Sequence, residues 1–239
     1  TFEKEPEYYG YSAFYNQPKL TKAVISSSVT AIPKYLFYKC SALSDVDIQG
    51  QLVEIPMYSF SCCNISALTL PNSVKSISEY AFNSNTAMKS AVLGNNVKSI
   101  EKYAFSGCSN LTNLDLGNSL VTIGDYAFES MGSNVNTRLN VVFPNTLSTI
   151  GEYAFKASSV SSITIPNSVT KIDKYCFTEN TKLKEITIGN GCRELPENIF
   201  SGCSALTSVV INDGLEKISN YAFANCKSLE SISIPSTVV

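Results

Sequence analysis

Residues Ile100–Leu116 carry the sequence IEKYAFSGCSNLTNLDL, which is one copy of a pattern that runs through the whole chain. The pattern is centred on Phe105, and such phenylalanines recur at spacings of 23, 23, 22, 23, 23, 27, 22, 23 and 23 residues. They are Phe14, Phe37, Phe60, Phe82, Phe105, Phe128, Phe155, Phe177, Phe200 and Phe223. A fixed period of roughly 20 to 29 residues is typical of repeat proteins that wind into a solenoid. The chain therefore predicts about ten repeats of 22–27 residues rather than a globule.

Large apolar residues hold fixed positions around each phenylalanine. An aliphatic residue lies five positions before it, and others lie six, nine and eleven positions after it, as Leu111, Leu114 and Leu116 do after Phe105. The last two alternate with polar or small residues, which is typical of a short strand with one buried face. Gly, Pro, Asn or Asp follows, so the chain turns there. The segment around Tyr-Ala-Phe is too short for a stable helix and predicts a single turn of α- or 3₁₀-helix.

One such repeat buries too little apolar surface to be stable alone, so the repeats must stack with their strands parallel. The predicted fold is an α/β repeat solenoid: a curved, right-handed coil with a parallel β-sheet on the concave face and short helical or 3₁₀ turns on the convex face. Residues 1–239 form a single solenoid, because no shift in composition divides them. Residues 1–9 depart from the repeat and are expected to cap the first coil. Residues 235–239 start an incomplete repeat, which we interpret as an array that continues or was trimmed rather than as a truncated capping coil.

The repeat is similar to the BspA-like (bacterial surface protein A type) leucine-rich repeat family. The pattern I-x-x-x-A-F-x-x-C-x-x-L-x-x-[LV]-x-[LI]-P-x-[ST]-V covers essentially the whole chain, and residues 218–226 (ISNYAFANC) and 165–169 (IPNSV) are among its closest copies. The resemblance implies a secreted or cell-surface module that binds a protein or glycan partner in adhesion. The alternative is a rigid spacer segment of a longer surface protein that has no ligand of its own. No signal peptide is visible in this chain, and its absence decides nothing about secretion.

Composition argues against several other classes of function. The 18 basic and 20 acidic residues are dispersed and give a net charge of −2, so neither nucleic acid nor an anionic membrane is an expected partner. No apolar run is long enough to span a bilayer. The chain has no histidine and no C-x-x-C pair, so we predict no enzyme activity, no cofactor and no metal site. The D-x-D pair of Asp45 and Asp47 is interpreted as two solvated carboxylates rather than as a cation site.

The eight cysteines follow the repeat rather than a disulfide framework. Five of them lie three positions after the phenylalanine, where Asn85 and Asn180 stand in other repeats. The exchange of Cys with Asn suggests an inward ladder in which a small donor side chain bonds the loop backbone. We therefore expect buried, reduced thiols, with Cys62 the most exposed. Two pairs could still cross-link if their Cα atoms come within roughly 7 Å, namely Cys40 with Cys63 and Cys203 with Cys226.

A row of tyrosines lies two positions before the phenylalanines and has two possible roles. Its members are Tyr35, Tyr58, Tyr80, Tyr103, Tyr126, Tyr153, Tyr175 and Tyr221. Tyrosine is enriched at binding hot spots, so the row could be a recognition surface. We favour packing along the outer arc with the hydroxyl at the rim, because the row barely varies from repeat to repeat.

Two other features are candidate binding sites. The outward strand positions form a candidate ligand-binding row on the concave face: Val24, Asp47, Thr69, Val92, Asp115, Val142, Thr164, Thr187, Val210 and Ser233. This row carries no aromatic residue and no Arg, so weak or multivalent binding is expected. The spacing of 27 residues between Phe128 and Phe155 indicates an inserted surface loop, whose candidate residues are Asn134, Asn136 and Arg138.

Overall fold

The computed structural model describes residues 12–134 and 139–239. The cap predicted for residues 1–9 lies outside the described residues. The strands are β1 (Lys22–Ile25), β2 (Asp45–Ile48), β3 (Glu54–Ile55), β4 (Ala67–Thr69), β5 (Ser76–Ile77), β6 (Ser90–Val92), β7 (Ser99–Ile100), β8 (Asn113–Asp115), β9 (Thr122–Ile123), β10 (Leu139–Val142), β11 (Thr149–Ile150), β12 (Val160–Ile165), β13 (Lys171–Ile172), β14 (Glu185–Ile188), β15 (Glu194–Leu195), β16 (Ser208–Ile211) and β17 (Lys217–Ile218). Each described strand pairing is parallel, as the stacked repeats predict.

The strands form two ladders on different sides of the coil. The longer strands make the long-strand sheet, which consists of β1–β2, β4–β6–β8 and β10–β12–β14–β16 in that order. The two-residue strands make the short-strand ladder, which runs from β3 through β5, β7, β9 and β11 to β13, with β15–β17 following. The sequence did not predict this second ladder. Two residues are too few to show an alternating pattern, although the ladder's apolar members, such as Ile77 and Ile100, were placed in the core.

The core is built around a column of stacked phenylalanine rings. All ten rings from Phe14 to Phe223 stack on their neighbours, with centroids separated by as little as 5.2 Å between Phe82 and Phe105 and as much as 5.7 Å between Phe177 and Phe200. The rings inside the column are at most 6% exposed, whereas Phe14 at one end is 44% exposed and Phe223 at the other is only partly buried. Each ring inside the column is therefore covered on both faces by the coils beside it.

The outer arc of each coil is a chain of tight turns, and the predicted helical turns are wrong. The described residues contain no helix, and so none that could cross a bilayer. The reason is a left-handed residue on either side of the phenylalanine, such as Tyr103 (φ 57°) and Gly107 (φ 74°), because a right-handed helix cannot continue through one. Between these two residues, successive backbone N–H groups donate alternately to the next coil and within their own turn. The Phe105 N–H donates to Ala127 O of the next coil (2.8 Å), whereas the Ser106 N–H donates to Tyr103 O of its own turn (3.2 Å). The backbone is thus satisfied without a helix.

A donor ladder of side chains ties each arc to the preceding one, and it confirms the prediction drawn from the exchange of Cys with Asn. The residue three positions after one phenylalanine donates to the backbone carbonyl of the previous phenylalanine. The pairs are Cys40 Sγ to Phe14 O (2.9 Å), Cys63 Sγ to Phe37 O (3.1 Å), Asn85 Nδ2 to Phe60 O (2.8 Å), Cys108 Sγ to Phe82 O (3.4 Å), Ser158 Oγ to Phe128 O (2.8 Å), Asn180 Nδ2 to Phe155 O (2.7 Å), Cys203 Sγ to Phe177 O (3.2 Å) and Cys226 Sγ to Phe200 O (3.3 Å). Met131 stands at this position after Phe128 and has no donor to offer.

Close approach between coils makes one glycine much less replaceable than another. Gly117 and Gly107 both have positive φ, but a Cβ on Gly117 would lie 2.0 Å from Gly94 O, whereas a Cβ on Gly107 would come no nearer than 3.4 Å to Ser84. We expect Gly107→Ala to cost about 1 kcal/mol of unfolding free energy, for the left-handed backbone alone. Gly117→Ala should cost about 2–3 kcal/mol, because the facing backbone must also shift. Urea unfolding of the two variants tests this, and equal losses would contradict it.

Candidate functional site

The structure brings the predicted ligand-binding row together on the solvent face of the long-strand sheet. Its members face one another across paired strands in three runs: Val24 with Asp47; Thr69 with Val92 and Asp115; and Val142 with Thr164, Thr187 and Val210. Ser233 is exposed beyond the last strand of the sheet. The row points outward because side chains alternate along each strand, so that Ala23 and Ile25 of β1 are buried while Val24 is 53% exposed.

The acidic residues at the first end of the row are bonded to their neighbours. Lys22 donates a hydrogen bond to Asp45 within an ion pair, with 2.7 Å between Nζ and Oδ2, and this bond raises the pKa of Lys22. Asp47 accepts a hydrogen bond from the Gln49 amide at 2.6 Å. Both partners of the ion pair are more than half exposed, so it adds little stability. Within residues 12–134 and 139–239, no three Cys, Asp or Glu side chains converge as metal ligands would.

A groove of about 500 Å³ crosses the face where β10, β12 and β14 run into their turns. We call it the neutral groove, because none of the described residues that line it carries a charge. Its lining residues are Asn140, Val141, Val142, Phe143, Asn145, Ser162, Thr164, Ile165, Pro166, Asn167, Thr187, Gly189 and Asn212. Three of these residues belong to the predicted ligand-binding row, but the groove itself was not predicted. The available signal was Asn140 in β10 and the recurrence of Asn at the turns after β10, β12 and β16.

Asparagine side chains at the turns of the long-strand sheet bond in two ways along the coil. Upstream, the amide of Asn96 donates to Asn72 O at 2.8 Å and that of Asn118 donates to Asn95 Oδ1 at 3.1 Å. In the groove, the Asn140 side-chain oxygen accepts from Ser161 and the Asn167 oxygen accepts from the Asn190 backbone N–H. The Nδ2 groups of the groove asparagines donate to no described protein atom, as is also the case for Asn72 and Asn95 upstream, so these donors are available to a ligand.

The inserted loop is only partly within the described residues. Asn136 and Arg138 lie outside them. Asn134 is held at the base of the loop, since its backbone N–H donates to Ser109 O (2.9 Å) and its amide donates to the Ser109 hydroxyl (2.8 Å). Ser159 on the following coil donates to Gly132 O at 2.6 Å. Asn134 therefore has a structural role in fixing the loop to the solenoid.

A second groove, of about 520 Å³, lies on the short-strand side and is lined by charged residues. Its charges are paired with one another or with the next coil: Arg193 contacts Glu216 at 2.7 Å, and Lys217 contacts Glu194 at 2.8 Å. The Lys217 and Ser219 hydrogen bonds lower the pKa of Glu194. Because these side chains neutralise one another, the groove presents no field of one sign to a charged ligand.

The tyrosine row is a second ring column, as the packing interpretation predicted. The rings from Tyr35 to Tyr175 stack at 4.5–5.0 Å between centroids. Asn198 then takes the tyrosine position, and Tyr221 beyond it is 67% exposed. Burial raises the pKa of Tyr126 to about 12. Since the ring faces cover one another, only the edges and hydroxyls of the stacked tyrosines reach solvent.

All eight cysteines are free thiols, and six of them are buried. Cys62 is one of the two partly exposed thiols, the other being Cys226. Burial raises the pKa of Cys108 to about 12 and raises that of Cys203 as well. These thiols therefore stay protonated at neutral pH, which lets them donate in the ladder and makes them poor nucleophiles.

Comparison with known proteins supports the same architecture. A family model described as the BspA type leucine-rich repeat region, in six copies, matches residues 7–136 and 133–239. A leucine-rich repeat protein from Bacteroides ovatus is 27% identical, with a TM-score of 0.65, over 96% of this chain and 70% of its own. The leucine-rich repeat protein of T. pallidum is 25% identical, with a TM-score of 0.63, over 69% of this chain and 78% of its own. No curated protein matches the sequence.

Proposed function

Because the chain belongs to the BspA-type leucine-rich repeat family, we propose that it is a non-enzymatic interaction module that binds its partner on the long-strand sheet. The partner is a protein or a glycan, and the setting is adhesion by a secreted or cell-surface protein. Leucine-rich repeat proteins generally serve as interaction scaffolds, which supports this role. Protease treatment of intact producing cells tests the location, because only a protein outside the cell envelope is digested.

The observation that carries the proposal is the in-register, solvent-facing row on the long-strand sheet. Its members occupy equivalent positions on successive paired strands, so the face is rigid and repeats along the coil. A repeating face suits an extended or repetitive ligand that contacts several coils at once. Several weak contacts then combine through effective concentration, which fits a row without aromatic or Arg anchors.

The test compares two double variants that carry the same substitutions on opposite sides of the coil. Thr69→Arg with Thr164→Arg places two large cations on the binding row, where both threonines are exposed. Thr30→Arg with Thr170→Arg places them at two exposed positions, Thr170 directly before β13 of the short-strand ladder and Thr30 at the equivalent position of the second repeat. Each protein is measured by biolayer interferometry against a panel of purified extracellular matrix proteins and immobilised glycans.

We expect at least one panel member to bind the wild-type protein and the control variant equally. The face variant should bind it at least about tenfold more weakly, because bulky charges now cover the contact surface. Equal binding by the two variants would mean that the partner does not bind on this face. Binding to no panel member would favour the alternative of a passive spacer.

A further inference from the structure

We propose that the neutral groove over β10, β12 and β14 is a binding site for a neutral oligosaccharide. This inference rests on the proposed function and specifies the class of partner. The groove offers a defined concavity of about 500 Å³ on an otherwise open sheet, which lies within the usual size range of small-molecule sites.

The first support is the set of hydrogen-bonding groups that the groove presents. The Nδ2 groups of Asn140, Asn145, Asn167 and Asn212 donate to no described protein atom, and all four side chains are exposed. The hydroxyls of Ser162, Thr164 and Thr187 also line the groove without a described partner. Amides and hydroxyls both donate and accept, and so do the hydroxyls of a sugar, so the two sets of groups match.

The second support is the absence of charge among the described lining residues. An ionised ligand would lose hydration here without gaining an opposite charge, which is costly. Sialylated, sulfated and uronic-acid glycans are therefore disfavoured. Neutral hexose chains and neutral N-acetylated chains remain, since both bind through hydroxyl and amide groups.

The third support is an exposed apolar surface beside these polar groups. Val142 is 79% exposed, more than the other valines of the same row: Val24 is 53% exposed, Val210 is 47% exposed and Val92 is half-buried. It lies on the strand that also supplies Asn140 and runs into the turn of Asn145. A sugar ring can pack its C–H groups on this surface while its hydroxyls reach the amides. A mix of apolar surface and a few placed polar groups is usual in ligand sites.

The same features argue against a protein in this groove. Tight protein contacts are anchored by exposed aromatic residues or Arg, and the single aromatic residue among the described lining, Phe143, is only 7% exposed. A peptide could instead add as a strand, but that requires a free edge. Strand β12 pairs with β10 and β14, and β14 pairs with β12 and β16, so these two backbones are already bonded on both sides. Among the described strands, β10 is bonded to β12 alone, but its other side already contacts β8.

The experiment is saturation-transfer NMR with defined oligosaccharides as probes. Cellohexaose, maltohexaose, mannohexaose and chitohexaose are the neutral probes, and sialyllactose and a heparin hexasaccharide are the anionic ones. The test variant is Asn145→Ala with Asn212→Ala, which removes two available amides. The control variant is Asn64→Ala with Asn220→Ala, at two exposed asparagines outside the groove. Circular dichroism checks that each variant is folded.

We expect at least one neutral probe to bind the wild-type and control proteins, and to bind the test variant about tenfold more weakly, as the loss of two hydrogen bonds implies. Preference for the anionic probes, or equal binding to both variants, would overturn the inference. If no saccharide binds but a protein from the panel binds and is lost in the Thr69→Arg/Thr164→Arg variant, the groove inference fails while the proposed function stands. If neither class binds, both fail.

Discussion

Replacing Phe105 with alanine should lower the free energy of unfolding by about 3–5 kcal/mol, as expected for a fully buried aromatic ring. The ring has no exposed surface, and it stacks on Phe82 at 5.2 Å and on Phe128 at 5.4 Å. Truncation removes both contacts and leaves a cavity between coils. The neighbouring coils cannot close it, because their own hydrogen bonds fix the spacing of the arcs.

The matched control is Phe223→Ala at the far end of the column. Phe223 is only partly buried and stacks on a single ring, Phe200, at 5.4 Å. We expect this variant to lose about 1–2 kcal/mol, since less apolar area is removed and no closed cavity forms. Urea unfolding followed by circular dichroism compares the two. Equal losses would mean that position in the column does not matter, which contradicts stability built from nearest-neighbour contacts.

Hydrogen exchange extends the same test along the chain. In an array stabilised by neighbouring coils, the Phe105→Ala loss should be largest in the coils centred on Phe82, Phe105 and Phe128 and should decline towards both ends. A uniform loss of protection from residue 12 to residue 239 would instead indicate that the solenoid opens as one unit.

Periodic features of the fold could be predicted because repetition exposes shared physical requirements. The stacking of the repeats followed from the spacing of the phenylalanines alone. The donor ladder followed from a shared chemical property. Cysteine and asparagine, which exchange at this position in Cys63, Asn85 and Cys108, have little in common except a small donor group. One copy of the repeat would have shown neither feature. Ten copies separate the positions that every coil must satisfy from those that vary.

The parts that could not be predicted depend on contacts between coils. Tyrosine has no preference for left-handed backbone, yet Tyr103 adopts φ 57° because its N–H then reaches Asp125 O at 3.0 Å and its ring stacks on Tyr80 and Tyr126. These contacts override local propensity and exclude the predicted helical turn. The neutral groove was missed for a similar reason: whether an asparagine amide bonds the adjacent coil or faces solvent depends on where that coil places its own side chains.

Replacing Asn85 with leucine should cost about 3–5 kcal/mol, because Phe60 O and the Ile65 N–H lose their side-chain partner at about 1–3 kcal/mol each, whereas Phe82 O keeps its bond from Cys108 Sγ. The Asn85 side chain is fully buried, donates to Phe60 O at 2.8 Å and Phe82 O at 2.9 Å, and accepts from the Ile65 N–H at 3.2 Å. Leucine has the same number and branching of side-chain heavy atoms, so it removes the hydrogen bonds with little change of shape.

The control is Asn85→Cys, which introduces the residue that other coils use at this position. A thiol has one hydrogen to donate, so it should keep the bond to Phe60 O, as Cys63 does to Phe37 O at 3.1 Å, and should lose the bonds to Phe82 O and from the Ile65 N–H. The cost should be about 1–2 kcal/mol, because Phe82 O still accepts from Cys108 Sγ. At Asn180 the side-chain oxygen has no partner, so Asn180→Cys should cost still less. In urea unfolding, the loss of unfolding free energy should therefore be much larger for Asn85→Leu than for Asn85→Cys, and larger for Asn85→Cys than for Asn180→Cys. If Asn85→Cys and Asn85→Leu destabilised the protein equally, the ladder would depend on amide geometry rather than on a donor. The exchange of Cys with Asn along the chain would then need another cause.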